Sequence, residues 1–177
     1  LLGPRPRLVV NTPPAIDGSY NVSTATFGAA LTPGGVTGAV VLVADNTGTS
    51  SDACEAIQNN VAGKIALIDR GNCTFVDKTT NAQNAGSIGD ITADNVVASS
   101  PPSLGGSAPG ITIPLVGITL ADGNILKAQL GTGINATLGV DTTQLAGADG
   151  SHHVFLYAPN PVESGSSISH FDRSLSP

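Results

Sequence analysis

The sequence predicts an α/β, strand-rich fold: a β-barrel or sandwich flanked by two short helices. Three observations lead there. Two apolar runs, Ala39-Val40-Val41-Leu42-Val43-Ala44 and Lys64-Ile65-Ala66-Leu67-Ile68-Asp69, have strand length and read as strands buried on both faces. Two strand–helix–strand units sit inside otherwise β-rich sequence. The 177 residues include 22 Gly and 12 Pro, but only 3 % aromatic and 11 % charged residues. That balance excludes a coiled coil, a long-helix bundle and a module that stacks bases on aromatic rings.

The elements follow in order. Residues 1–19 form an extended leading segment, because Pro4, Pro6, Pro13 and Pro14 prevent a helix. Within it Leu8-Val9-Val10 has the make-up of a short edge strand. Tyr20 to Phe27 alternates imperfectly and reads as a strand. Thr32-Pro33-Gly34-Gly35 is a turn, and the polar stretch Asp45 to Asp52 is a loop between the two buried strands. The period then changes. Thr74 caps a helix running from Phe75 to about Ala85. Phe75, Thr79, Ala82 and Ala85 share one face of it, while Asp77, Lys78, Asn81 and Asn84 are expected to face water. Gly86 stands where a helix-ending glycine belongs. Ile88 to Ala93 returns to strand, and 99–110 is a Pro/Gly/Ser loop. Ile111 to Ile118 is a strand in which Pro114 marks an edge or a bulge. Leu120 to Leu130 is a second short helix ended by Gly131 or Gly133. Ile134 to Val140 and Val154 to Tyr157 are late strands. Residues 158–177 are a polar tail.

Seven Lys+Arg against thirteen Asp+Glu give a net charge of −6. No phosphate-neutralising patch exists, so nucleic acid is not an expected partner. No run approaches the length of a membrane-spanning helix, so no membrane partner is expected. Abundant Thr, Ser, Asn and Gly with few Lys and Glu suit a secreted, extracellular protein. The chain starts at Leu1 and contains no Met, which reads as a piece of a longer protein. Cys54 and Cys73 are the two cysteines. In an exported chain they read as a bridge closing a loop of about 20 residues, worth roughly 3 kcal/mol. Two buried free thiols are the alternative.

The motifs of catalysis and of metal or phosphate binding are mostly absent. No Gly-x-Ser-x-Gly elbow is present, and Gly165-Ser166-Ser167 lacks its context. His152 and His153 are adjacent and would point to opposite faces of a strand, so they do not share an ion; a solvated turn is the better reading. Asp45-Asn46-Thr47-Gly48 and Ser51-Asp52 are rich in oxygen but lack EF-hand spacing, and a solvated loop is favoured there. Gly34-Gly35 and Gly105-Gly106 have no phosphate-binding Lys and read as turns. Asp69, Asp90, Asp94 and Asp122 are nominal candidates for paired carboxylates, with an ordinary structural role preferred. Asn21-Val22-Ser23, Asn72-Cys73-Thr74 and Asn135-Ala136-Thr137 match the N-glycosylation pattern. No cofactor is expected in the isolated chain.

One segment carries a family resemblance. Asp52-Ala53-Cys54-Glu55 is followed by Gly63-Lys64-Ile65-Ala66-Leu67-Ile68-Asp69-Arg70-Gly71-Asn72-Cys73-Thr74-Phe75, and then by Lys78 and Asn81-Ala82-Gln83-Asn84-Ala85-Gly86. This resembles the protease-associated (PA) domain, in which a Gly-Lys-Ile-Ala-Leu strand runs into Arg-Gly-x-Cys-x-Phe and a helix. Ile113-Pro114-Leu115-Val116-Gly117-Ile118, Ala121-Asp122-Gly123 and Leu126-Lys127 resemble the family's second half. The likeness covers about 20–145 and implies a PA domain over 20–157. It implies a β-barrel with flanking helices and supports a bridge between Cys54 and Cys73. It also implies a non-catalytic role beside a peptidase, shaping access of peptide or protein substrates or contacting the parent's peptidase domain. Asp90 departs from the family's apolar strand, so it must be paired, hydrogen-bonded or exposed. The loop 99–110 is the candidate contact surface.

The tail carries a second resemblance. Gly165-Ser166-Ser167-Ile168-Ser169-His170-Phe171-Asp172 is similar to the segment of leishmanolysin-like metzincin peptidases that supplies the third zinc ligand. That likeness implies a PA domain inserted in a zinc metallopeptidase, with His170 contributing to the metal in the full-length parent. A stand-alone secreted adhesion or ligand-binding domain is the reading from another class.

Overall fold

The structure is a computed structural model that describes residues 4–145. Eight strands and two helices follow in order: β1 (Pro4–Thr12), β2 (Gly18–Tyr20), β3 (Ser23–Thr24), β4 (Val36–Leu42), β5 (Ile65–Asp69), α1 (Phe75–Asn84), β6 (Gly89–Ala93), β7 (Leu115–Ile118), α2 (Leu120–Gln129) and β8 (Asn135–Leu145). Residues Pro6–Val140 make one compact unit; the outer ends of β1 and β8 belong to a second.

The strands form one mixed sheet in the order β2-β1-β8-β4-β5-β6-β7-β3. β4, β5, β6 and β7 run parallel. Antiparallel β8 borders β4, and antiparallel β3 borders β7. β2 and β3 are separated only by Asn21-Val22, yet they end the sheet on opposite sides. Two residues span less than about 12 Å even when extended, so the sheet must curl until its edges approach. The result is a strand-dominated half-barrel with two helices, as the α/β, strand-rich reading anticipated.

Alternation along β5 assigns the faces. Ile65 and Leu67 join a core with Ile91, Val116, Ile118, Leu138 and the α2 residue Leu126. Ala66 and Ile68 point the other way, to Val43, Ala53, Val61 and the α1 residue Ala82. Period-2 alternation thus sends α1 and α2 to opposite faces. A third cluster joins Phe27, Leu104, Ile111, Ile113 and Leu115, with Phe75 and Val76 of α1 packed on it.

Both ends of α1 are as read. The Thr74 hydroxyl accepts the Asp77 N–H, and the Asp77 carboxylate accepts the Thr74 N–H, completing a capping box. Gly86 takes a left-handed φ of 84°. Its N–H reaches Gln83 and that of Ser87 reaches Ala82, the paired bonds of a Schellman motif.

Four readings change. The leading segment holds a nine-residue strand rather than Leu8–Val10 alone, since proline forbids helix but tolerates extended chain. Leu8 and Val10 turn inward and are buried. Tyr20–Phe27 is not one strand: Tyr20 pairs with β1, Ser23 and Thr24 with β7, and Ala25 bridges to Leu104. The strand expected from Ile111 begins only at Leu115, and the Pro114 carbonyl accepts the Asp90 N–H at 3.0 Å from just outside it. Finally, Lys78 is fully buried. Its place on the buried face follows from Ala82, one helical turn ahead. The strand expected over Val154–Tyr157 and the tail 158–177 lie outside the described residues.

Candidate functional site

Parallel strands leave their carboxyl ends on one side of a sheet, where connecting loops enclose a crevice. A cleft of about 330 Å³ lies there. Thr49 enters from the β4–β5 loop, Asp69 to Asn72 from the end of β5, Asp94 and Asn95 from the end of β6, and Leu120 and Lys127 from α2.

Its charges are held in pairs. Arg70 donates to Asp94 at 3.0 Å and Lys127 donates to Asp69 at 2.8 Å. Asp94 is 4 % exposed and also accepts the N–H of Asn95, whereas Arg70 remains 41 % exposed. The guanidinium lies 5.9 Å from the centroid of the Phe75 ring. One Arg70 edge is therefore fixed while others stay open to a ligand carboxylate or carbonyl. Ser51 donates to the other Asp69 oxygen at 2.7 Å. Directly after Asn95, Val96 and Val97 are 54 % and 88 % exposed. The loop that follows β6 thus exposes two apolar side chains directly after the last cleft residue of that strand's end.

Near the opposite end of β6 from the cleft a second polar group is sealed from water. Asp90 is fully buried and accepts the Thr79 hydroxyl at 2.7 Å and the Thr92 hydroxyl at 3.1 Å. Burial pushes its carboxyl up to about 6, although both hydroxyls and Lys78 pull it down. The interrupting carboxylate is thus hydrogen-bonded, not exposed. Lys78 donates to the Asp52 carbonyl and to Cys54 Sγ. Cys54 and Cys73 form a disulfide with Cα atoms 5.6 Å apart, which excludes two free thiols.

The other sequence candidates scatter. Asp69 and Asp94 share the cleft, but each is bound to a cation. Asp122 caps α2 together with Thr119. The loop 99–110 supplies no cleft residue; it is tied to the β3 region through Pro102, Leu104 and Gly106. Asn72 is exposed at the cleft, while Asn135 holds the Asn11 amide. His152, His153 and His170 lie outside the described residues. Sequence reasoning missed the inward face of Lys78 and the burial of Asp45 and Asp52. The i, i+4 relation to Ala82 was the available signal for the first.

Comparison with known proteins bears on this arrangement. The family model described as "PA domain" matches residues 36–126, and the chain belongs to that family. It is 34 % identical over 131 residues to probable leucine aminopeptidase 2 of Aspergillus fumigatus, covering 72 % of this chain and 25 % of that one. It is 33 % identical over 78 residues to minor extracellular protease Vpr of Bacillus subtilis, covering 44 % and 9 %. The solved zinc aminopeptidase BSAP from Bacillus subtilis superposes with a TM-score of 0.59 at 26 % identity, over 82 % of this chain and 32 % of that one. The chain thus spans a quarter of its fungal relative's length. The relatives named are aminopeptidases and an extracellular protease, and the leishmanolysin-like reading of the tail finds no support. Among the described residues there is no histidine and no free cysteine. Those residues do not fit a zinc centre.

Proposed function

We propose that the chain is the non-catalytic accessory module of a secreted zinc aminopeptidase, and that its cleft holds part of a peptide or protein substrate near the parent's catalytic domain. The observation that carries this reading is the cleft itself: a partly free guanidinium at the carboxyl ends of parallel strands, with exposed valines in the adjoining loop after Asn95, on a chain that matches a quarter of a leucine aminopeptidase. Zinc belongs to the parent's catalytic domain in this reading. The disulfide and the extracellular relative support an oxidising, extracellular setting.

The Arg70 guanidinium supplies directed N–H donors to a peptide carboxylate or carbonyl. The Asp94 carboxylate fixes its plane, and Val96 and Val97 cover apolar side chains of the same segment. Such contacts are made equally in ground state and transition state, so they lower KM without changing kcat. In the parent enzyme, Arg70→Ala combined with Val97→Asp is expected to raise KM for polypeptide substrates several-fold. Both kcat and the kinetics on a small chromogenic leucyl amide should stay unchanged. Equal KM values for variant and wild type on polypeptides would remove the cleft from substrate contact. Peptide hydrolysis by the purified 177-residue chain would overturn the non-catalytic reading.

A further inference from the structure

We infer that the β4–β5 loop is a calcium site formed by Asp45, Asp52 and Glu55, a role that neither the cleft nor the family assignment calls for. One carboxylate oxygen from each lies within 4.8 Å of the others. Proximity of acids alone would not make a site. The second observation is at Asp45, which is 3 % exposed. Its Oδ1 accepts the Thr47 N–H at 3.3 Å, but its Oδ2 is buried with no hydrogen-bond partner. A buried anionic oxygen with no donor is strongly disfavoured unless a cation completes it.

The surrounding charges point the same way. Asp52 is 2 % exposed and spends Oδ1 on the Cys54 N–H. Lys78 is the ammonium packed nearby, and it donates to the Asp52 carbonyl and the disulfide sulfur rather than to a carboxylate. Three carboxylates and one ammonium leave a local charge that a dication balances. All donors are oxygen, the set preferred by a hard cation and avoided by zinc. Glu55 is exposed, so water can complete the shell; an irregular arrangement of six to eight oxygens suits calcium, whereas magnesium demands a near-ideal octahedron. Main-chain bonds already fold the loop around the site, from Asp45 to Ser50 and from Asp52 to Thr49. A bound cation would brace the loop that carries Thr49 to the cleft and Cys54 to the disulfide.

The test uses the 177-residue chain stripped with chelator and titrated calorimetrically with calcium chloride, then with magnesium chloride. Saturable calcium binding with a Kd of about 10⁻⁴–10⁻³ M is expected, the range of extracellular modules, together with a calcium-dependent rise in Tm. Glu55→Gln alters an exposed group and leaves the metal-free Tm unchanged, yet should weaken calcium at least about tenfold. Asp45→Asn should abolish binding and the calcium-dependent rise. No saturable heat at about 10 mM calcium would overturn the proposal. So would wild-type affinity in both variants, or magnesium binding as tight as calcium. Peptidase kinetics are not read here, so failure of this site and failure of the accessory-module reading are distinguishable.

Discussion

The Lys78 ammonium donates a hydrogen bond to the main-chain carbonyl of Asp52 at a point solvent does not reach. That bond ties α1, which follows the cleft strand β5, to the loop that carries Cys54. Its nitrogen also lies 3.5 Å from Cys54 Sγ. Burial lowers the ammonium's pKa, while Asp52 first, and then Asp90, Asp45 and Asp69, raise it. A charged side chain thus works as an internal brace between helix, loop and disulfide.

Truncating that brace leaves the Asp52 carbonyl without its donor and opens a cavity along the lysine stem. Lys78→Ala is expected to lower unfolding free energy by about 2–4 kcal/mol. Lys78→Met keeps most of the stem volume and removes the buried charge, so its loss should be smaller. Urea unfolding at neutral pH compares the two. Wild-type stability in the alanine variant would mean that desolvating the ammonium cancels everything its bonds supply.

Asp90 gives a pH dependence of defined sign. Its carboxyl rises from 3.8 to about 6 on folding, driven first by burial. Between those values the folded chain keeps a proton that the unfolded chain has released. Stability from this group is therefore complete below about pH 4 and is lost as pH rises through about 6, an effect on the order of 3 kcal/mol. Asp90→Asn has no such proton. The stability of wild type minus that of the variant should fall from pH 4 to 7 in parallel urea titrations. A flat or rising difference would show that Thr79, Thr92 and Lys78 stabilise the anion more than burial disfavours it.

These two groups also mark where the sequence stopped being legible. The strand cores, the ends of α1 and the Cys54–Cys73 bridge were readable because each rests on local chemistry: an apolar run, a Thr-x-x-Asp cap, a glycine able to take positive φ, a family motif. The cleft was not readable, because it joins loops from three strands that are far apart in sequence. Lys78 was placed in water by its charge, and charge was outweighed by a carbonyl supplied 26 residues earlier. Asp45 and Asp52 sit in a loop whose composition is polar, and only the packing of β4 and β5 shows that they are buried. Tyr20–Phe27 looked continuous because period-2 alternation does not report which strand lies alongside. Its two halves pair at opposite edges of the sheet.

The disulfide closes a sequence separation of 19 residues. Restricting the unfolded chain by a loop of that size stabilises by about 3 kcal/mol in the entropy model. The double variant Cys54→Ser, Cys73→Ser should melt about 10 °C below wild type, given a few degrees per kcal/mol for a domain of this size. A scanning calorimeter reads it directly, and reduction of the wild type should give the same shift. A melting temperature within about 2 °C of wild type would place the stability of this region in the Lys78 bonds and the β5 packing instead.

Gly123 sets two effects of opposite sign against each other. Alanine is favoured over glycine inside a helix by about 1 kcal/mol, which would make Gly123→Ala stabilising on α2 alone. A Cβ at this position, however, would lie 2.5 Å from the Ala93 Cβ on β6. Neither atom is the flexible end of a long side chain, and Ala93 is fully buried, so α2 must move off the strand. Overpacking of this kind costs about 1–3 kcal/mol, and the contact outweighs the propensity. Gly123→Ala should therefore destabilise. Because α2 also carries Lys127 to Asp69 in the cleft, the displacement should loosen that 2.8 Å ion pair as well. Chemical denaturation checks the first effect, and amide exchange over residues 115–130 checks the second. A net gain in stability would mean that α2 can slide along β6 at little cost, and the helix would then be a movable wall of the cleft rather than a fixed one.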